Sequence, residues 1–246
     1  MKQKIEILNT YIDNLSLEEA LQKIDSGIVV TPNIHHLVQL QKDLQLQKAY
    51  SLATYILCDS QIVYYILKIL GEPIKDKLSG SDLFPKFIEK YASKPADSFF
   101  LFGSKQCNLD SAEQKINSNF KRILISGTFS PPFKERFEKN EIESFADLIN
   151  KTNASILIIS LTGGKQEKFA VQLFPLLTKV RLILCFGAGL DFYIGAEKRA
   201  PELISKIGFE WMWRISQLGI RILPRYILDL KFFFYLIKWF FIRKAI

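Results

Sequence analysis

The chain has 246 residues, 48% of them hydrophobic and 13% aromatic, and a formal net charge of +8 at pH 7. This length suits one large α/β domain, or one domain with an appendage, and it is enough to bury a sizeable core. The positive charge favours an anionic partner such as nucleic acid or a membrane surface. No zinc-finger spacing, RNP-like aromatic motif or clear helix-turn-helix accompanies the charge, so we predict no nucleic-acid partner.

Cysteine and histidine usage gives no sign of a metal site. Cys58 and Cys185 lie in apolar runs and no CxxC pair occurs, which predicts buried thiols in a reducing compartment. His35 and His36 are the only histidines and cannot form a zinc site alone, so we assign them a solvated or helix-start role. No long apolar stretch follows Met1, and the sequence therefore predicts no signal peptide.

Strand and helix patterns alternate from the first residues. Ser16 and Glu19 have the spacing of a capping box, which opens a helix over 17–24. Ser81 is the predicted N-cap of a later helix. The predicted strands are 4–8, 27–31, 54–58, 98–103, 122–127, 154–160 and 180–187, and the further helices include 34–50, 110–119 and 141–151. Strands rich in Ile, Val and Leu that alternate with helices predict an α/β fold with a mostly parallel sheet covered on both faces.

Polar residues and glycines stand where several of these strands end. In a parallel sheet, ligands bind outside the carboxyl ends of the strands, so these residues are expected to gather at one edge. They are Thr31, Asn33, Asp59, Gly103, Gly163, Gln166, Glu167, Gly187 and Asp191.

Each of these positions also has a plain structural interpretation. Asp59 is either a general base or a helix cap. Thr31 and Asn33 either orient a sugar hydroxyl or close a turn after a proline. Gln166 and Glu167 either contact a ribose or phosphate or are ordinary first-turn residues favoured by the helix dipole. For Asp191 both kinds of interpretation are equally open.

The segment Gly163-Gly164 separates a buried strand from a helix. Glycines let a phosphate approach the backbone, and the free N–H groups of a helix start favour an anion. The alternative is a tight turn of the kind common in α/β proteins.

The composition changes near residue 196, which divides the chain into a predicted domain over 1–195 and a helical appendage over 196–246. Four arginines of the appendage suit a diphosphate, with lipid headgroups or ion pairs to nearby glutamates as the alternative. They are Arg199, Arg214, Arg221 and Arg225. The tail over 227–244 is rich in Phe and Trp but interrupted by Asp229, Lys231 and Lys238, which favours a helix lying in a membrane interface over one that crosses it. A helix packed on the core is the alternative.

A set of short motifs, taken in order, resembles one family over nearly the whole chain. The motifs are Thr31-Pro32-Asn33, Asp59, Gly80-Ser81-Asp82-Leu83, Gly163 with Gln166-Glu167, Gly187-Ala188-Gly189-Leu190-Asp191-Phe192, Gly195, Lys198-Arg199-Ala200-Pro201, Gly208-Phe209-Glu210-Trp211, Arg214 and Arg225-Tyr226. Together they resemble the WecG/TagA/CpsF family of bacterial glycosyltransferases. The resemblance implies a Rossmann-like fold and inverting transfer of an N-acetylmannosamine-type or related sugar from a UDP donor. It further implies a polyprenyl-diphosphate-linked acceptor for surface polysaccharide or teichoic-acid-type glycan, at the cytoplasmic face of the plasma membrane.

The resemblance also implies roles for single residues. Asp59 matches the catalytic base and Thr31 its polar neighbour. Matched as substrate-binding positions are Asn33, Asp82, Gly163, Gln166, Glu167, Gly187, Asp191, Arg199, Arg214, Arg221 and Arg225. The appendage is expected to close over the diphosphate and dock to an anionic membrane as a peripheral protein, and self-association would mask its apolar surface. The family has no DxD metal site and none is evident here, so no metal or other cofactor is predicted.

Two departures from the family pattern stand out. Gly164 replaces the usual proline of the Gly-x-Pro-x-Gln-Glu turn, which predicts a looser loop, and Ser60 replaces the usual glycine after the aspartate. Two other functions compete with the transferase. A nucleotide-dependent oxidoreductase is disfavoured because no Gly-x-Gly-x-x-Gly follows the first strand. The second is a catalytically inactive membrane-docking scaffold of the same fold.

Overall fold

The computed structural model describes residues 3–120 and 124–245, with side chains up to residue 243. The strands are β1 (Lys4–Ile7), β2 (Thr10–Asp13), β3 (Gly27–Val30), β4 (Tyr55–Ile56), β5 (Phe99–Gly103), β6 (Ile125–Phe129), β7 (Ile156–Ser160) and β8 (Leu182–Cys185). The helices are α1 (Leu17–Lys23), α2 (Ile34–Gln39), α3 (Leu44–Leu52), α4 (Gln61–Ile69), α5 (Gly80–Ala92), α6 (Gln106–Asn119), α7 (Lys139–Asn150), α8 (Lys165–Leu173), α9 (Gly189–Ile194), α10 (Glu202–Lys206), α11 (Glu210–Leu218), α12 (Leu223–Asp229) and α13 (Lys231–Ala245). Short 3-10 turns occupy Phe174–Leu176 and Ile220–Ile222.

Six strands form one parallel sheet in the order β4-β3-β8-β7-β5-β6, and β1 and β2 form a separate antiparallel pair. Successive side chains of β7 enter two different cores, Leu157 and Ile159 on one face and Ile156 and Ile158 on the other. A strand buried on both faces reads as a continuous apolar run, which is why the sequence shows no alternation there. The predicted α/β class, with helices on both faces of a mostly parallel sheet, is confirmed.

The helix predicted over 34–50 is wrong, because the chain forms α2 and α3 with a break between them. Asp43 caps the second helix, and its Oδ1 accepts a hydrogen bond from the backbone N–H of Leu46 at 3.0 Å. An aspartate that bonds a nearby backbone N–H competes with helix continuation.

Other boundaries also differ from the sequence predictions. Ser79, not Ser81, caps α5, since its Oγ accepts from the backbone N–H of Asp82 at 3.2 Å. The capping box of Ser16 and Glu19 is confirmed. Part of the strand predicted over 122–127 lies outside the described residues, and β6 begins at Ile125.

The C-terminal helices pack on the sheet domain through one side of α13. Phe232 is fully buried in the core that also contains side chains of β7 and β8. Arg243 donates from Nη2 to Glu72 Oε1 at 2.7 Å. Phe234, Ile237 and Phe241 remain more than half exposed on the other side of the helix. Within residues 3–120 and 124–245, no helix is long and apolar enough to cross a membrane.

Candidate active site

A cavity of about 510 Å³ lies at the carboxyl ends of four neighbouring strands. Thr31 follows β3, Asp59 follows β4, Gly163 follows β7 and Gly187 follows β8, and all four line this cavity. Side chains of the C-terminal helices close its other side. The parallel topology therefore brings together residues that lie far apart in the sequence.

Asp59 combines burial with a second carboxylate nearby. Burial is the largest cause and the negative charge of Glu210 the next, and together they raise the pKa of Asp59 to about 7 against the opposite effects of Lys77 and Arg214. Its side chain keeps partial exposure to the cavity. Asp59 does not cap the next helix, because Ser60 does so by accepting from the Val63 N–H at 3.3 Å. A carboxyl group that titrates near neutral pH suits proton transfer.

Thr31 and Asn33 stand beside Asp59 in the cavity wall. The hydroxyl of Thr31 is buried and donates to the backbone oxygen of Cys185 at 3.4 Å. Asn33 is the N-cap of α2, and its Oδ1 accepts from the backbone N–H of His36 at 3.3 Å. The side-chain oxygen of Asn33 therefore has the structural role predicted for it, at the turn where α2 begins. Asn33 also lines the cavity, where a substrate could contact it.

Gln166 lines the cavity, whereas Glu167 does not. The amide of Gln166 donates to Glu167 Oε1 at 3.0 Å and to the oxygen of Cys185 at 3.4 Å. Glu167 is fully buried behind the wall, where its Oε1 lies 3.7 Å from Nδ1 of His36 and its Oε2 has no hydrogen-bond partner. Glu167 thus supports Gln166 from behind and is not exposed to a ligand in the cavity.

The turn before α8 differs from the predicted looser loop. Gly163 and Gly164 have φ angles of +64° and +74°, in the left-handed region. Proline fixes φ near −65°, so the proline usual in the family could not adopt this backbone. A Cβ at Gly164 would come within 2.8 Å of Gln39 Oε1, and Gly164 is buried. The glycine allows a different and closely packed turn.

Asp82 and Arg199 pair with each other outside the cavity wall. Arg199 donates from Nη2 to Asp82 Oδ1 at 2.6 Å, and Lys77 lies 3.0 Å from the other carboxylate oxygen. These cations and the hydroxyl of Ser79 together hold the pKa of Asp82 below its ordinary value despite burial. For Arg199, the ion-pair alternative is therefore the observed one, although with Asp82 as its partner and not a glutamate.

Asp191 and Arg221 also lie outside the cavity wall. Asp191 Oδ1 accepts hydrogen bonds from Ser104 Oγ at 2.6 Å and from Asn108 Nδ2 at 2.8 Å, which places its carboxylate on the β5 side of the sheet edge. Arg221 is exposed in the 3-10 turn between α11 and α12.

Arg214 and Arg225 bring two guanidinium groups to the cavity from the C-terminal helices. Arg214 donates from Nη2 to Glu197 at 3.1 Å and lies over the ring of Phe192, 5.3 Å from its centroid. The Nε atoms of both arginines are buried without a hydrogen-bond partner. Buried donors of this kind normally have an acceptor, so a ligand with anionic oxygens would complete them.

Glu210, His35 and Asp229 are among the wall residues that sequence reasoning did not assign to the site. His35 Nδ1 lies 2.7 Å from Asp229 Oδ1. The helix-start role predicted for His35 is confirmed, because it lies in the first turn of α2, whereas the solvated alternative is wrong because the side chain is largely buried. The sequence presents Asp229 only as a charge that interrupts an interfacial tail. The only signal in the sequence was the acidic Asp229 inside an apolar segment. Such a residue is either exposed to solvent or paired with a buried partner. No group of three potential metal ligands occurs among residues 3–120 and 124–245.

The parallel α/β sheet places a carboxyl group whose pKa is raised to about 7 in the same cavity as two arginines with buried, unpartnered Nε atoms. A base and cations are the groups that an enzyme uses to transfer a group from a phosphorylated substrate, so the arrangement fits that class. The model of the family described as "Glycosyl transferase WecG/TagA/CpsF family" matches residues 5–245. The chain therefore belongs to this family of glycosyltransferases, and the resemblance carried by the motifs is confirmed.

Two curated relatives come from Bacillus, and both are named N-acetylglucosaminyldiphosphoundecaprenol N-acetyl-beta-D-mannosaminyltransferase. The protein from Bacillus spizizenii is 26% identical over 198 residues, which cover 79% of this chain and 73% of the relative. The protein from Bacillus subtilis is 26% identical over 211 residues, which cover 85% of this chain and 78% of the relative.

Proposed function

We propose that the protein is an inverting glycosyltransferase that moves an N-acetylmannosamine-type or related sugar from a UDP donor to a polyprenyl-diphosphate-linked acceptor. The family membership supports sugar transfer, and the names of the two relatives support both the sugar and a lipid-diphosphate acceptor. The observation that carries the proposal is the position of Asp59, whose pKa is raised to about 7, in the same cavity as Arg214 and Arg225.

Asp59 is the proposed base. In its ionised form it accepts the proton of the acceptor hydroxyl while that oxygen bonds to the anomeric carbon of the donor sugar. The bond between the anomeric carbon and the UDP oxygen breaks, and its electron pair leaves with UDP. One displacement from the opposite face inverts the anomeric centre. Thr31, fixed by its bond to the Cys185 oxygen, is the proposed polar neighbour of the base.

The departing UDP gains negative charge on its terminal phosphate, and this charge needs donors in place before the reaction. Arg214 and Arg225 supply them through guanidinium groups with unpartnered buried Nε atoms. The backbone at Gly163 and the start of α8 add N–H groups and the positive end of a helix dipole. Arginine binds two phosphate oxygens at once, which suits a diphosphate better than a point charge does.

The other predicted substrate contacts divide into two groups. Asn33, Gln166 and Gly187 line the cavity, and we propose that they contact the nucleotide or the sugar. The carboxylates of Asp82 and Glu167 and the guanidinium of Arg199 already have protein partners. For these three we propose a supporting role. Asp191, whose Oδ1 accepts from Ser104 and Asn108, and the exposed Arg221 lie outside the cavity wall and remain proposed substrate contacts.

We propose that the segment 196–246 serves as the membrane-docking part and 1–195 as the catalytic domain. Exposed aromatic and aliphatic side chains of α13 beside Lys231 and Lys238 suit an anionic membrane surface, here the cytoplasmic face of the plasma membrane. Self-association through the same surface is an additional proposal. No metal is included in the proposed mechanism, and retention of activity in excess EDTA is the expected result.

UDP release tests the proposed function. Purified protein is incubated with a panel of UDP-sugars and a polyprenyl-diphosphate-GlcNAc analogue, and wild type is compared with Asp59→Asn. Release that depends on the acceptor and is lost in this variant supports the proposal and identifies the donor. Asp147→Asn, an exposed aspartate on α7, is the matched control and should behave as wild type. Absence of both UDP binding and release would favour the inactive scaffold, whose cellular role should survive Asp59→Asn.

A further inference from the structure

His35 and Asp229 join the sheet domain to the C-terminal helices at the cavity. His35 lies in the first turn of α2 and Asp229 is the last residue of α12. Their Nδ1 and Oδ1 atoms are 2.7 Å apart, and both side chains are largely buried yet line the cavity. Because an ionised carboxylate has no proton to give, the imidazole Nδ1–H is the donor in this contact.

Arg225 lies one helical turn before Asp229 on α12 and lines the same cavity. Residues at i and i+4 share one face of a helix, and an arginine and an aspartate at this spacing normally attract each other. The Arg225 side chain nevertheless makes no hydrogen bond or ion pair within the described part of the chain, and its Nε is buried without a partner. The carboxylate that could pair with it is engaged by His35.

The geometry points to His35 as a positioning residue that holds Asp229 away from Arg225. The Arg225 guanidinium thereby stays available to the diphosphate of the substrate. This inference rests on the proposed function for the identity of the anion. It explains why a histidine and a buried aspartate meet beside a cationic site that an unrestrained aspartate would neutralise.

A purely structural role for the pair makes different predictions. If the contact only anchors α12 to α2, removal of either partner should weaken anion binding equally, and removal of both should restore nothing. If His35 restrains Asp229, the loss of His35 is harmful only while the carboxylate at 229 and the guanidinium at 225 are both present. The two roles are therefore distinguished by whether the Asp229 substitution restores the anion affinity that the His35 substitution removes.

The experiment is calorimetric titration of the full chain with UDP and, separately, with inorganic pyrophosphate. We expect His35→Ala to weaken binding of both anions by about tenfold, and His35→Ala/Asp229→Asn to return to within about twofold of wild type. His35→Asn places an amide N–H near the position of Nδ1 and should keep wild-type affinity. In an Arg225→Ala background, His35→Ala should cause no further loss. Glu202→Gln, which removes an exposed carboxylate from α10, is the matched control.

Three results would overturn the inference. They are wild-type affinity in His35→Ala, equal losses in His35→Ala, Asp229→Asn and the double variant, and a further loss from His35→Ala in the Arg225→Ala background. Thermal melts of each variant show whether any loss reflects unfolding. If the wild type binds pyrophosphate but not UDP, only the proposed UDP donor is overturned. The coupling between His35, Arg225 and Asp229 can then still be measured with pyrophosphate. Binding of neither anion overturns both proposals.

Discussion

Gly187 donates its backbone N–H to the side-chain Oε1 of Gln166 at 3.1 Å. Gly187 is the second residue after β8, and the bond joins it to the first turn of α8, which follows the neighbouring strand β7. The amide nitrogen of the same side chain is held by Glu167 and by the Cys185 oxygen. One buried glutamine therefore fixes the relative position of two strand ends in the cavity wall.

Replacement of this glutamine should destabilise the fold. Gln166→Ala leaves a backbone N–H and two oxygens without their present partner, and we expect the free energy of unfolding to fall by about 2 to 3 kcal/mol. Urea denaturation measures this change. Gln172→Ala, on the same helix but exposed, is the control and should change the value by less than about 0.5 kcal/mol. Equal effects of the two variants would show that the Gln166 bonds do not support the wall.

Asp59 should lower the stability of the protein at neutral and alkaline pH. Its pKa is about 7 in the folded protein against an ordinary value of 3.8. Between these pH values the folded chain holds a proton that the unfolded chain has released, so the free energy of unfolding falls as pH rises. Asp59→Asn removes this loss and should be more stable than wild type at pH 8 by about 1 to 2 kcal/mol, a value reduced for the solvent in the open cavity. In melts at pH 4.5 the stability difference between Asp59→Asn and wild type should be smaller. A larger difference at pH 4.5 than at pH 8 would contradict the assigned pKa.

The same ionisation should control the rate. Ionised Asp59 is the proposed base, so kcat should rise with pH through an apparent pKa near 7, and Asp59→Asn should lower kcat by about 10² to 10⁴. Glu210→Gln removes a negative charge that raises the pKa of Asp59. The acidic limb of its pH profile should therefore move to lower pH, whereas Glu202→Gln should leave the limb in place. If the acidic limb does not move in Glu210→Gln, the ionisation of Asp59 beside Glu210 does not control the rate.

Two adjacent glycines should tolerate alanine unequally. Gly163→Ala and Gly164→Ala both require a left-handed backbone, which costs about 1 to 2 kcal/mol for a residue with a side chain. Only Gly164 has a close neighbour for the added methyl group, Gln39 Oε1 at 2.8 Å, whereas nothing lies within 4 Å at Gly163. Denaturation should therefore show the larger loss for Gly164→Ala. In Gly164→Ala/Gln39→Ala, the additional loss of stability relative to Gly163→Ala should disappear. If it persists, the contact with Gln39 is not its cause.

The exposed side of α13 should bind vesicles without supporting the fold. Phe234, Ile237 and Phe241 follow the helical spacing of one face and are more than half exposed. Their joint replacement by serine should lower sedimentation with anionic vesicles several-fold and leave the melting temperature nearly unchanged. Phe232→Ala, on the buried side, should instead cost about 3 to 5 kcal/mol of stability. Unchanged sedimentation of the triple variant would refute docking through this face.

The sequence was sufficient to predict the sheet and the edge where the cavity lies. Ile, Val and Leu runs bounded by glycine or polar residues specify parallel buried strands, and parallel strands align their carboxyl ends. Thr31, Asp59, Gly163 and Gly187 could therefore be placed together without knowing the strand order.

Side-chain direction was not predictable in the same way. Glu167 follows Gln166 directly, yet one lies behind the wall and the other in it, because neighbouring residues of a helix point about 100° apart. The partner of Asp229 lies 194 positions away, at His35. A charge in an apolar tail looks the same in sequence whether water or a distant histidine compensates it. The buried side of α13 was hidden for the same reason, since aromatic residues cover both sides of that helix.

The pairing of β3 with β8 also determines when the site can exist during synthesis. Thr31 and Cys185, which are bonded to each other in the cavity wall, are separated by 154 positions. Pairings between segments this distant form late, because much of the intervening chain must be ordered first. Asp59 therefore leaves the ribosome long before the strand that completes its surroundings. Until that strand is synthesised and paired, Asp59 is not buried, and the cavity that raises its pKa does not exist.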